Sequence, residues 1–536
     1  MDEFDYVIVG GGSAGSTLAS RLSENANVTV CLLEAGGAGD SAVINAPLGV
    51  VAMVPGRPPL NNWAYETEPQ PGLNGRRGYQ PRGKTLGGSS AINAMLYIRG
   101  QAEDYDRWAA AGCPGWSYED VLPYFKRAEG NMRGADAFHG ADGPLSVSDQ
   151  QSPRPINDAF IEAGRSLQIP HNLDFNGAKQ EGIGLYQVTQ FATGPKRGRR
   201  CSAAAGYLLP NLDRKNLDVR TGVHAHRVVF DAKRASGVTY SRRKGGAEET
   251  VRARREVILS GGAFNSPQLL QLSGIGPGEV LKRAGIDVRV DSAGVGRNLQ
   301  DHIDYTLNFK SKDKDLIGLG IRPGLKMLRA IGEWRKQGTG PVASPMAEGG
   351  AFLKTSPTVA TPDIQLHFVV AIVDDHARKM HLGYGYTCHV CVLRPEARGE
   401  VNITSADPRE APSINPRFLE NETDMTVLRD GAKLTRRLLM SPAFDPYRGQ
   451  ELYTRDGMSD AEWDEDIRSR ADTVYHPVGT CRMGSDADSV VDPELRVRGV
   501  DGLRVVDASI MPYLVSGNTN APSVMIGEKA ADLIRG

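Results

Sequence analysis

Three glycines and one carboxylate near the start of the chain have the residue types and spacing of a dinucleotide cradle. Gly10-Gly11-Gly12-Ser13-Ala14-Gly15 fits G-x-G-x-x-G at Gly10, Gly12 and Gly15. In such a turn the first glycine permits the tight reversal, the second lets backbone approach a pyrophosphate, and the third lets a helix lie close to its strand. The N–H groups of Ser13 and Ala14 open that helix and would face the phosphates with the positive end of its dipole. Glu34 stands where an acceptor for a ribose hydroxyl belongs, about 20 residues beyond the glycines. Gly87-Gly88-Ser89-Ser90 is a second turn whose N–H groups could meet an electron-rich ligand; the plainer reading is a glycine turn with a serine cap. The chemistry is that of an adenine dinucleotide, NAD or FAD, and the turn alone does not separate the two.

The elements that must position these groups can be read from periodicity. Residues 6–9 form a continuous apolar run, short enough for a strand buried on both faces. A helix over about residues 14–22 and a second strand over 28–33, ending in Glu34, complete the unit. Residues 36–75 are Gly/Pro-rich and read as irregular structure packed on that unit, and the turn at 87–90 is expected to open an Ala/Ile/Met-rich helix. Residues 149–200 read as an insertion from a second domain, and 216–230 return to strand character. Residues 256–262 are another buried strand running into a glycine turn, 503–507 close the dinucleotide fold, and 524–534 form a final helix. From about 301 to 466, Pro-rich turns alternate with strand-like runs such as 364–370 and 387–393.

Composition excludes several classes. The chain has 536 residues, enough for more than one core, and a net charge of −1 with no basic run of the kind nucleic-acid binding needs. The first strand starts too close to Met1 for a secretory signal, and no apolar run approaches the ~20 residues of a spanning helix. Six scattered cysteines fit a reducing cytoplasm. Cys388 and Cys391 form a C-x-x-C within a strand-like run, where positions i and i+3 face opposite sides, so no metal site is expected.

Four stretches carry a specific resemblance. Residues 83–100 look like one signature, and Gly262-Ala263-Phe264-Asn265-Ser266-Pro267-Gln268 through Gly276 like a second. His476-Pro477-Val478-Gly479-Thr480 and Gly517-Asn518-Thr519-Asn520-Ala521-Pro522 match a pair of active-site segments. Together they resemble, from end to end, the glucose–methanol–choline (GMC) flavoprotein oxidoreductases, nearest to bacterial aliphatic alcohol dehydrogenases and choline dehydrogenases. The resemblance implies FAD rather than NAD. It also implies an α/β plus α+β fold: a Rossmann-like FAD-binding domain (1–155, 201–305, 469–536) and a mostly antiparallel-sheet substrate domain (156–200, 306–468), discontinuous in sequence. It assigns flavin contacts to Asn93 and Asp507, an adenine contact to the backbone of Val223, and further cofactor contacts to Gly87, Gly88, Ser89, Ala94, Ala508 and Asn520. Some family members carry a histidine at the position of Ile92 that bonds covalently to the flavin. Isoleucine cannot, so the FAD is expected to be non-covalent.

Oxidising an alcohol with a flavin needs a base for the hydroxyl proton and a donor for the developing alkoxide. By the resemblance these are His476 and Asn518, and proline fixes the backbone just after His476. The expected reaction is oxidation of a primary aliphatic or arylalkyl alcohol to the aldehyde, with electrons passed to a quinone-like acceptor. Choline dehydrogenase, an oxygen-using alcohol oxidase, and a cyanohydrin lyase with a redox-silent flavin are the alternatives. Glu348 is the candidate carboxylate for a cationic substrate; Phe368 and Val474 are candidate apolar lining. Residues 323–337 form a basic amphipathic helix with Leu325, Leu328, Ile331 and Trp334 at helical spacing. It either packs on the substrate domain or adds peripheral contact with the inner face of a membrane to an otherwise cytoplasmic protein.

Overall fold

The computed structural model describes residues 2–536. Strand Asp2–Val9 is central to a seven-stranded sheet. It pairs in parallel with Val30–Leu33 on one side and Glu249–Leu259 on the other. Leu217–Arg220 adds in parallel outside Val30–Leu33, and Leu503–Val505 in parallel beside residues 257–259. Arg234–Ser241 and His224–Asp231 extend the far edge antiparallel. Val7, Ile8, Val30 and Leu32 are fully buried, as an apolar run sandwiched between covering layers must be. Helix Ser13–Leu22 packs on helix Asn520–Arg535, which starts earlier than the 524 expected because Pro522 sits in its first turn, where a missing N–H leaves no bond unmade. Between these two helices Glu528, fully buried, accepts from Arg21, Arg127 and Tyr207.

A second seven-stranded sheet is antiparallel throughout. Its order is Glu451–Leu452, Ile303–Ser311, Tyr384–Val392, Ile364–Val369, Ala347–Leu353 and Gly182–Leu185, with Asp472–Thr473 also on Ile303–Ser311. Helices Ile156–Ser166 and Glu422–Leu439 cover one face. The other face looks into a cavity shared with the first sheet's glycine turns. Strand alternation decides which side chains reach that cavity. In Ile364–Val369, Leu366 and Phe368 enter the helix-covered core while His367 and Val369 face the cavity.

The structure departs from the sequence expectations at several positions. Phe368 does not line the substrate end; it stacks on Phe160 at 4.6 Å between centroids, on the helix-covered side. Glu348 lies at a register shift in Ala347–Leu353 and is also turned away. Its carboxylate accepts from Ser344, Asn157 and the Arg154 N–H at 2.5–2.7 Å, with no exposed surface. The turn at Gly88–Ala91 is a single tight turn and opens no helix: Gly87 and Gly88 have φ of +89° and +52°, Met95 has +63°, and the chain then runs extended. Residues 36–75 hold short helices at Ala42–Asn45 and Val50–Met53 and strand Tyr65–Pro69. All six cysteines are buried and free.

Phe368→Ala is therefore expected to lower stability by about 3–5 kcal/mol, read as a fall in the thermal midpoint of the FAD-loaded protein. The preference among alcohols should stay unchanged.

Candidate functional site

One cavity of about 360 Å³ reaches from the N-terminal glycine turn to His476 and Asn518. At the turn, the three glycines differ in what a side chain would meet. A Cβ on Gly10, whose φ is +103°, would lie 2.4 Å from the Ser260 carbonyl oxygen; one on Gly15 would lie 2.0 Å from that of Gly10. Over Gly12 the nearest atom would be 3.9 Å away, so the space there is open. Gly88 packs against the Cα of Gly12, and the Gly87 N–H donates to the Gly11 carbonyl at 2.7 Å, which locks the two glycine turns together. Helices Ser13–Leu22, Gly262–Leu272 and Asn520–Arg535 all present their N-terminal residues to this cavity, a concentration of positive dipole ends suited to an anion.

The side chains around the cradle are held but not saturated. Glu34 accepts the N–H groups of Gly11 at 2.9 Å and Gly36 at 2.7 Å, one on each oxygen. Each oxygen keeps a lone pair for a hydroxyl. Burial pushes this carboxyl up to about 7, against the pull of those N–H groups and Lys84. The Val223 N–H donates to the Glu34 carbonyl at 3.0 Å. Asp507 is raised by burial and accepts from Ser266, Gly262 and Ser509 at 2.5–2.9 Å. Ser13 donates to Asn520 Oδ1 at 2.8 Å, joining two helix N-termini. Asn93 Oδ1 accepts from the Met95 N–H and from Arg200. Arg200 is buried without a carboxylate partner among the described residues, so burial lowers it to about 9 and carbonyls of Ile44 and Asn93 hold it. Ser89, Asn93, Ala94 and Ala508 all line the cavity, as does Ile92.

At the other end, hydrogen bonds fix a tautomer. The Leu393 carbonyl can only accept, so His302 Nε2, 3.1 Å away, carries the proton. Burial holds His302 down at about 4, so it is neutral and its Nδ1 is an acceptor. His476 Nδ1, 2.9 Å from it, must then be the donor. That leaves His476 Nε2 with its lone pair toward Asn518 Nδ2 at 3.1 Å. The Asn518 amide is oriented in turn because its oxygen accepts from Gln365 Nε2 at 3.0 Å. Burial, with His302, His367 and Arg82 nearby, keeps His476 well below the ordinary histidine range. Its backbone is fixed too: its N–H donates to Asp301 at 2.8 Å, and Tyr475 before it sits at φ +77°, tied by Arg82 to its carbonyl and by Thr473 at its N–H. The result is a neutral base beside an amide donor at one point of a buried cavity.

Val474 lines the cavity here; His367, Met346, Val369 and Val373 join it, and sequence spacing did not single them out. His367 is buried and neither ring nitrogen has a protein partner among the described residues. His302, Gln365 and Arg200 also went unseen, since their roles arise from contacts across sheets.

The GMC oxidoreductase sequence profiles match residues 4–304 and 395–527. The chain belongs to the GMC oxidoreductase family. It is 45% identical over 533 residues (99% of this chain, 95% of the relative) to an alcohol dehydrogenase (acceptor) of Pseudomonas putida. It is likewise 45% identical over 540 residues (100% and 95%) to an oxygen-dependent choline dehydrogenase of Cronobacter sakazakii. A formate oxidase of Aspergillus oryzae, solved to follow the effect of a mutation on FAD modification, superposes with a TM-score of 0.90 at 30% identity, covering 100% of this chain and 98% of its own.

GMC oxidoreductases bind FAD, and this chain fits it: open backbone over Gly12, unsaturated carboxylate oxygens on Glu34 and three helix N-termini meet in one cavity. The three glycines should therefore separate in their behaviour. Gly12→Val should fold, with an unchanged far-ultraviolet spectrum, but purify with FAD content reduced about tenfold or more by loss of phosphate room. Gly10→Ala should fail to accumulate as folded protein, because its Cβ has nowhere to go.

Proposed function

We propose that this GMC oxidoreductase oxidises an uncharged primary alcohol, aliphatic or arylalkyl, to the aldehyde, and passes the electrons to a quinone-like acceptor. The observation that carries the reading is the pairing of the His476 Nε2 lone pair with the Asn518 amide N–H in one cavity. A carbinol placed there would give its hydroxyl proton to His476 Nε2 while Asn518 Nδ2 donates to the alkoxide oxygen. His302 accepts from His476 Nδ1 throughout, so the imidazolium formed is stabilised without losing its orientation. FAD, when bound, supplies the hydride acceptor. The segments 1–155, 201–305 and 469–536 would form its domain, and 156–200 with 306–468 the substrate domain. Ile92, with no nucleophilic atom, supports a non-covalent cofactor.

Wall chemistry supports an uncharged substrate. Met346, Val369, Val373 and Val474 are apolar, and among the described residues the only carboxylates on the cavity wall are Glu34 and Asp507, both in the cofactor cradle. A quaternary ammonium would find no carboxylate on the wall near His476. Choline is the second reading, favoured by Asp304 just behind the wall, which His389 covers at 2.6 Å. The lyase alternative gains no support from the relatives, which are oxidoreductases.

Anaerobic stopped-flow with 1-hexanol, benzyl alcohol and choline tests this directly. Rapid flavin bleaching by the first two, slow bleaching by choline and faster reoxidation by a quinone analogue than by air are expected; bleaching by choline alone would overturn the substrate class. His476→Ala should retain FAD while the bleaching rate falls by ~10²–10⁴. The pH profile follows from the low proton affinity of His476: a base is inactive only when protonated, so the rate should stay flat as pH falls through 6.5 and drop only well below it. His302→Phe, which removes the acceptor for Nδ1–H, should slow bleaching by roughly tenfold or more and shift that lower limb. His302→Asn, whose amide oxygen can accept, should restore part of both.

A further inference from the structure

Helix Ile321–Gln337 carries two apolar faces. Met327, Ala330, Ile331 and Trp334 point inward, and Trp334 Nε1 donates to the Gly198 carbonyl at 2.8 Å. Leu325 and Leu328 do not share that stripe; with Ile321 they point outward. Ile321, Leu325 and Leu328 are 87%, 61% and 68% exposed. Residues 319 and 383 exchange two backbone hydrogen bonds of 2.9 Å, which bring the loop holding Met380 and Leu382, 75% and 76% exposed, beside the start of this helix. Five of the six most exposed large apolar side chains among the described residues thus lie in two adjoining segments. A patch of that kind on a folded surface marks a contact.

We propose that this ridge docks the protein on an anionic lipid bilayer. Its charge selects that occupant. Arg322, Lys326, Arg329, Arg335 and Lys336 rise from the same helix against a single acid, Glu333, whose carboxylate is taken by Thr339. Nearby, Asp374 is held inward by His381 and Tyr453, while Asp313 and Asp315 alternate with Lys312 and Lys314. Apolar side chains that stand out by more than half their surface, flanked by long basic ones, suit insertion at a headgroup boundary, where aliphatic stems stay with the tails and charges reach phosphates. A second copy is disfavoured: a two-fold contact would set the five basic side chains of one ridge against those of the other. No helix among the described residues is long and apolar enough to cross a membrane, so the contact is peripheral. The inward face of the helix belongs to the same cluster as Met346, Val369 and Val373, so the docking helix packs directly behind residues that line the cavity. Docking stands without the substrate assignment, but would place an apolar alcohol and a quinone, both lipid-soluble, near the cavity.

The test is flotation of the FAD-loaded full chain with phosphatidylglycerol-containing vesicles and with pure phosphatidylcholine vesicles. The wild type should float with the anionic vesicles, less so as salt is raised. Leu325→Glu/Leu328→Glu should lower partitioning about tenfold or more, as should Lys326→Glu/Arg329→Glu. Because these side chains are exposed, both variants should keep FAD and bleach with alcohol in solution as the wild type does. Wild type that does not float, or a Leu325→Glu/Leu328→Glu variant that floats equally well, would overturn the proposal. So would a concentration-dependent dimer in sedimentation velocity that this variant abolishes without any vesicle binding.

Discussion

The parallel pairing of Leu503–Val505 with residues 257–259 is the constraint on which the active region depends. Parallel neighbours cannot be joined by a tight turn, so the chain must travel between them. That excursion builds six of the seven strands of the second sheet, all but Gly182–Leu185, and then returns. On return it delivers His476, Asn518 and the helix starting at Asn520 over a glycine cradle made some five hundred residues earlier, where Ser13 and Asn520 meet at 2.8 Å. The cavity is the space left between the two sheets once that pairing is made.

Around that space, buried charges lack ordinary partners. Arg200 has only carbonyls, Asp507 only hydroxyl and N–H donors, and Glu34 is pushed toward neutrality. Burying ionisable groups this way is costly unless a ligand completes their environment. The His476 end of the cavity follows the opposite rule. His302 and His476 are both held neutral by burial, and their single hydrogen bond forces the free lone pair of His476 into the cavity. A base of low proton affinity beside an amide donor suits a proton transfer completed only as charge develops on the substrate.

The outer ridge of helix Ile321–Gln337 extends this organisation to the surface. One apolar face of the helix packs behind residues of the cavity wall and the other faces out, so seating the helix and the proposed docking are separate tasks of one element.

Bare backbone and local spacing carry the part of this fold that is legible residue by residue. The glycine turn, the strand ending at Glu34 and the second glycine turn are local, because each depends on a missing Cβ or on a few residues in a row. His476, Asn518, Asp507 and the discontinuous two-domain fold were legible through whole motifs. Which way a side chain faces, by contrast, is set by packing between distant elements. Strand alternation turned Phe368 into the core and brought His367 to the cavity; a register shift buried Glu348 among Ser344, Asn157 and Arg154. The tautomer of His476 depends on His302 and Leu393, distant in sequence, and the split faces of helix Ile321–Gln337 depend on what it packs against. A side chain's type is written locally, but its partner and its exposure are properties of the assembled chain.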